Sequence, residues 1–255
     1  MSNCLLTSLV KSWPLQLKKV DSSCVLFRGA KYSLGTINCR YTNFSPELQK
    51  TLQSEIHFQS IKKLSKYSAR HIKWQRRQDQ SDLQYFNYLL LDPRVTNKLP
   101  SRASRMHCID IWFTFLRAIF YVGKGKGIRP YIHFMQAEKL LEKPDSIKQA
   151  KDPKLALILS IWEQQRGVLL MRVFRGISST DAQTREASMI SALSMNHLTN
   201  RRMGAYFGPT KDKFTPSQRK LLGIALLYKL MKHFISKEER EIYPQISKLP
   251  AAKAA

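Results

Sequence analysis

The segment Ala118-Ile119-Phe120-Tyr121-Val122-Gly123-Lys124-Gly125-Lys126-Gly127-Ile128-Arg129-Pro130-Tyr131-Ile132-His133 brings together groups that phosphate chemistry uses. A strand reads from Ala118 to Val122 and delivers Tyr121 to its end. A Gly-rich basic loop starting at Gly123 then leads to Arg129, and His133 falls on the first turn of the next helix. Backbone N–H groups at Gly123 and Gly125, the Lys124 and Lys126 ammonium groups and a helix N-terminus make a cradle for a phosphate. The loop alone is not diagnostic, because no G-K-[ST] closes it and the G-x-G-x-x-G spacing is missing. The second chemical signal is an isolated acid. No Asp or Glu lies between Asp110 and Glu138, and between Asp181 and Glu238 only Glu186 and Asp212 occur, among Arg185, Arg201, Arg202, Lys211, Lys213, Arg219, Lys220, Lys229 and Lys232. A lone carboxylate in such a field is a candidate metal ligand; the plain alternative is a Glu186 paired with a nearby arginine on a solvated helix.

These types suit phosphodiester hydrolysis. One carboxylate can hold Mg²⁺ and leave positions for water and a phosphate oxygen, and the ion then offsets phosphate charge and activates water. A tyrosine titrates near 10, so Tyr121 or Tyr88 acts as a base only where Lys124, Arg129 and metal charge lower that value. The always-protonated fork of Arg129 suits a pentacoordinate phosphate.

The 255 residues carry 43 Lys and Arg against 18 Asp and Glu, a formal net charge of +25. That excess calls for a polyanion, and nucleic acid is the commonest one. No apolar run approaches the roughly 20 residues of a membrane span, so no membrane insertion is expected. Cys4, Cys24, Cys39 and Cys108 form no C-x-x-C pair and have no zinc-finger His spacing, which leaves free thiols as the default. Residues 1–45 are basic, Ser-rich and nearly free of acid, which fits either a targeting segment or a basic arm, and the location stays open between nucleus and mitochondrion.

The elements that must position the chemistry follow from periodicity. Ser45 to Gln78 reads as one amphipathic basic helix, with Trp74 among its terminal cations. Gln84 to Leu91 is a buried strand closed by Asp92-Pro93, and Val168 to Phe174 is a third strand. Helices are expected at Ser104 to Leu116, Tyr131 to Leu141, Pro153 to Gln164, Thr180 to Leu193 and Pro216 to Ile235, with a loop at Lys143 to Lys151. The expected division is a basic arm at 1–45, a basic helix at 46–81, an α/β domain at 82–208 and a helical extension at 209–255.

In order and context, Tyr88, Tyr121-Val122-Gly123, Arg129, His133, Glu186 and Leu198-Thr199-Asn200 together resemble the GIY-YIG nuclease family. More narrowly, Phe86-Asn87-Tyr88-Leu89-Leu90-Leu91-Asp92-Pro93-Arg94-Val95, Phe120-Tyr121-Val122-Gly123-Lys124-Gly125 and Thr184-Arg185-Glu186-Ala187 are similar to the C-terminal nuclease domain of animal endonucleases that carry ankyrin repeats and a LEM domain. The resemblance implies a small α/β domain with a three-stranded antiparallel sheet flanked by helices, plus basic helical extensions. It implies a DNA endonuclease using one Mg²⁺ or Mn²⁺ ion and no small-molecule cofactor, leaving a 5′-phosphate and a 3′-hydroxyl. By resemblance, Tyr88 and Tyr121 are the motif tyrosines, Arg129 contacts phosphate, Glu186 holds the metal and Asn200 lies near the site. Lys124 and His133 stand where similar enzymes place a cation or a proton-handling group, and Gly123, Gly125, Lys126 and Asn200 are the substrate-side candidates.

The sequence departs from the pattern where Phe86-Asn87-Tyr88 lacks the Gly and Ile of the first motif and Val122 replaces the Ile of the second. Asp92 to Arg117 is an insertion between the motifs. No ankyrin signature occurs, and nothing before Asp82 looks like a LEM domain. Taken singly, each residue has a plain reading: core tyrosines, a surface arginine, a helix-face histidine, a turn asparagine. The order argues for the site, against a non-catalytic nucleic-acid-binding protein or a ribonucleoprotein component, either of which predicts binding that ignores Mg²⁺.

Overall fold

The computed structural model describes residues 43–78, 83–141, 150–237 and 239–245. The basic arm with Cys4, Cys24 and Cys39, the side chain of Trp74 and most of the loop expected at Lys143 to Lys151 lie outside what is described.

The sheet has the order β2-β1-β3-β4, with every pair antiparallel. Its central strand, β1 (Tyr85–Leu91), is buried on both faces from Phe86 onward, which is why it reads as a continuous apolar run rather than an alternating one. β2 (Ile119–Gly125) and β3 (Val168–Ile177) flank it. A fourth strand, β4 (Glu241–Ile242), extends the expected three by pairing with Leu169 and Val168. Two residues cannot display a period, so β4 has no sequence signal. The Glu241 carboxylate anchors it, accepting from the Arg166 guanidinium at 2.6 Å and from the Gly167 N–H at 2.6 Å.

The N-terminal region is not the single helix its periodicity predicts. It is α1 (Pro46–Lys50), α2 (Glu55–Ser60), a 3₁₀ turn (Ile61–Leu64) and α3 (Ser65–Gln78). Ser45 and Ser54 each accept a backbone N–H at a helix start, and such caps compete with helix continuation. The insertion folds as α4 (Pro93–Thr96), α5 (Leu99–Arg102), a 3₁₀ turn and α6 (Cys108–Ala118). Asp92-Pro93 thus opens a helix: Asp92 caps it and Pro93 sits in its first turn, where a missing N–H costs nothing.

α7 (Tyr131–Leu141) and α8 (Pro153–Glu163) precede β3. α9 (Ser179–Leu193), α10 (Gly208–Lys213) and α11 (Pro216–Ile235) follow it. Leu89, Leu91 and Val122 point into one core, shared with α1, α6, α9 and α11. Phe86, Tyr88, Leu90 and Phe120 point into a second, closed by α7 and α8. The broad apolar face of α11 is core, from Leu222 to Phe234. There α9 and α11 run so close that a Cβ at Gly223 would lie 2.0 Å from the Ser188 carbonyl oxygen. Each large apolar side chain buried this way contributes on the order of 1.5–3 kcal/mol, which holds the sheet as a rigid platform.

Candidate active site

Strand pairing puts the two tyrosines together. Tyr88 is opposite Gly123 in the β1–β2 ladder, and its ring lies beneath the strand: a Cβ at Gly123 would come within 2.3 Å of Tyr88 Cζ. A Cβ at Gly125 would likewise come within 2.5 Å of Arg129 Cγ. The strand therefore runs three residues beyond its expected end at Val122, through Gly123, Lys124 and Gly125, and these two glycines make room for Tyr88 and Arg129. Only Gly127, with φ +57°, serves the turn as a flexible backbone.

The tyrosines have different environments. Tyr88 is 1% exposed and Tyr121 lines a cleft of about 540 Å³; their ring centroids are 5.9 Å apart. His133, on the first turn of α7, is buried, and its Nε2 lies 2.8 Å from the Tyr88 hydroxyl. The Tyr88 and Tyr121 hydroxyls also interact with each other. One direction satisfies the whole chain: His133 Nε2–H donates to Tyr88, and Tyr88 O–H donates to Tyr121. His133 Nδ1, buried without a partner, is then a bare lone pair and not a stranded N–H. Burial, with Lys154 and Arg129 nearby, presses the imidazole down to about 3 and keeps it neutral. Burial also raises both phenols, by more than Arg129 lowers them, so the lowering expected of a tyrosine base is not supplied by the protein's own charges.

Glu186 shares the cleft with Tyr121 and Lys124. Burial pushes its carboxyl up to about 7, against the Lys124 ammonium, the Lys124 backbone N–H and the Arg129 charge, which pull it down. Pairing with the adjacent arginine does not occur: Arg185 is bidentate on Asp181, at 2.6 and 2.9 Å. Asp181 also meets His71 Nε2 at 2.7 Å. Asn200 lines the cleft, but its amide is spent on strand β2, accepting from Val122 N–H at 3.0 Å and donating to Val122 O at 2.7 Å. Lys126 is exposed, 5.8 Å from the Tyr85 ring, and Arg129 is exposed beside the cluster.

The cleft is also lined by Asp152, Lys154 and Arg201; of these the sequence pointed to Arg201 alone, as part of the basic field around Glu186. Asp152 marks a helix start and carries that weak signal alone. A larger cleft of about 670 Å³, lined by Arg172, Arg175 and Arg240, holds none of the expected residues. Chemistry points to the smaller one.

Residues 85–248 match the family of LEM-3-like GIY-YIG domains. The chain belongs to that family. It carries a GIY-YIG endonuclease domain. Among its relatives, the ankyrin repeat and LEM domain-containing protein 1 of Mus musculus is 40% identical over 160 residues, 63% of this chain and 29% of that protein. The Homo sapiens protein of the same name is 40% identical over 162 residues, 63% of this chain and 26% of that one. The Caenorhabditis elegans homolog is 35% identical over 136 residues, 52% and 18% of the two chains. The chain thus spans less than a third of the length of these relatives. No solved structure matches it.

GIY-YIG nucleases are generally dependent on a divalent metal, and the cleft fits such an ion. Glu186 is a half-buried carboxylate whose charge, among the described residues, Lys124 and Arg129 offset, so a cation would relieve its desolvation. Among the described residues no group of three or more His, Cys, Asp or Glu converges. A single carboxylate with several waters is a common arrangement for Mg²⁺ at phosphate. Also among the described residues, no helix is long and apolar enough to cross a membrane.

Proposed function

We propose that the protein is a structure-selective DNA endonuclease that hydrolyses phosphodiesters with one Mg²⁺ or Mn²⁺ ion held by Glu186. The observation that carries this is the meeting of Glu186, Tyr121 and Lys124 in one cleft. When bound, the ion neutralises phosphate charge and acidifies the attacking water. Tyr121, which faces the cleft beside Lys124 and Arg129, first gives its own hydroxyl proton to solvent; as the phenolate it then takes the proton from that water and becomes neutral again. Before that transfer the phenolate charge is met by the Tyr88 O–H, itself supported by the His133 N–H. Arg129 and Lys124 face the phosphate and offset its charge in the pentacoordinate state. In-line attack releases a 3′-hydroxyl and leaves a 5′-phosphate. Gly123, Gly125 and Asn200 then act on substrate indirectly, by fixing the strand that carries Tyr121. Selectivity for branched or distorted DNA is supported by the placement of exposed cations on α3, which give additional DNA arms a surface to meet.

The test is cleavage of linear, supercoiled and branched DNA by the purified protein with and without Mg²⁺, beside Glu186→Ala. Metal-dependent cutting, strongest on branched substrates and lost in Glu186→Ala, is the expected result. Binding without cutting on every substrate would replace the nuclease reading with a non-catalytic one.

A further inference from the structure

Lys154 stands in the first turn of α8, and it is buried: the residue is 8% exposed. Lysines are rarely buried unless paired, and the pairing here is weak. Nζ is 3.8 Å from Asp152 Oδ2, and the same carboxylate oxygen is 3.9 Å from Arg201. What the ammonium does have is the Tyr121 ring, whose centroid is 4.8 Å from Nζ. The aromatic neighbours of that ring among the described residues are His133, edge-on at 5.1 Å and 69°, and Tyr88, tilted at 5.9 Å and 35°. Three side chains therefore frame Tyr121, and only Lys154 among them brings a charge.

We infer that Lys154 is a positioning residue for hydrolysis, holding the Tyr121 ring in the cleft and favouring the negative charge that its oxygen must carry before the proton arrives. A cation within about 6 Å of an aromatic centroid attracts the ring's electron density, and the attraction grows once the phenol becomes a phenolate. Burial adds to it, because a low-dielectric site strengthens each charge interaction. Asp152 aims the chain: its carboxylate caps α8 through Lys154 N–H at 2.9 Å and faces the ammonium. Arg201 reaches the same carboxylate oxygen from solvent, with its side chain 66% exposed. The inference rests on the proposed hydrolysis with Tyr121 as base.

Single-turnover cleavage of branched DNA with Mg²⁺, and binding of the same uncut DNA in Ca²⁺, should be measured for wild type, Lys154→Met, Lys154→Arg and Glu186→Gln. Lys154→Met is expected to slow cleavage roughly 30-fold, the upper end for a desolvated cation–π contact, with DNA affinity unchanged within about 3-fold, and Lys154→Arg to recover most of the rate. An unchanged rate in Lys154→Met, a loss confined to DNA affinity, an equal loss in the arginine variant, or a methionine variant without a cooperative melt would each overturn the role. If Glu186→Gln abolishes cutting while Lys154→Met does not, the nuclease reading stands and this inference falls. A wild type that never cuts removes both.

Discussion

Tyr88 and Tyr121 carry the same hydroxyl, but only Tyr121 reaches the cleft. Tyr121→Phe is therefore expected to slow single-turnover cleavage by at least about 100-fold, the usual scale for losing a general base. Tyr88→Phe removes only the second hydrogen bond and should cost about 10-fold, near the worth of one such bond. Equal losses would shift the base to Tyr88. The residues were legible in the sequence while their ranking was not, because two tyrosines at the ends of apolar strands look alike until pairing shows which is covered. Glu186 yields a second prediction at this scale. Its folded pKa, about 7, lies above the usual carboxylate value, so the metal-free protein is most favoured with Glu186 protonated. That advantage is complete below about pH 4.5 and lost as pH rises through 7. Glu186→Gln, which never ionises, should therefore stabilise the metal-free protein by about 3 kcal/mol at pH 8 and hardly at all near pH 4.5. Denaturant melts at the two pH values measure this, and an equal effect at both would mean that Glu186 ionises freely.

The ladder between β1 and β2 sets the site, and its glycines separate two kinds of constraint. Gly123→Ala drives a methyl into the Tyr88 ring from a well-paired strand, so it should lower stability by about 1–3 kcal/mol, as overpacking does, and slow cleavage through Tyr88 and Tyr121. Gly127→Ala meets open space but keeps φ +57°, which costs on the order of 1 kcal/mol and leaves the tyrosines in place. Melting and single-turnover rates on both variants test the distinction, and cleavage retained in Gly123→Ala would remove the close approach as a requirement. The sequence presents these glycines as one flexible phosphate loop, since composition carries no information on what crosses beneath a strand. The helices Tyr131–Leu141 and Pro216–Ile235 were readable to the residue, each having a proline just before or at its start. The N-terminal helices were not, because the Ser45 and Ser54 caps interrupt a period that the apolar residues alone sustain. β4 depends on the long-range Glu241–Arg166 pair, which no local pattern records.

Residues 43–78 precede the family match at 85–248, yet they are built into the core. Ser45 N–H donates to Ala192 O at 3.1 Å, the Phe44 ring packs on His197 at 4.6 Å, and Thr51 accepts from Trp112 at 3.0 Å. His71, fully buried, joins Asp181 at 2.7 Å and Thr210 at 2.8 Å. Removing this segment would take Leu48, Phe58 and Ile61 out of the core and strand the Asp181–Arg185 pair beside a vacant His71 position, so truncation reports on folding rather than on DNA. The outer side of the same segment is basic and solvated, with Lys62, Lys63, Lys66 and Lys73 exposed, and it can be altered without touching the core. Changing these four to Gln should leave the melting temperature within a few degrees, since surface substitutions cost little. If this basic side of the 3₁₀ turn and α3 holds a DNA arm, the slope of log affinity against log salt should shrink by about 0.9 for each lysine that meets a phosphate. The loss should be greater on branched than on linear duplex. An unchanged slope on every substrate would mean that these four lysines meet no phosphate, and would leave their positive charge without a part in choosing the substrate.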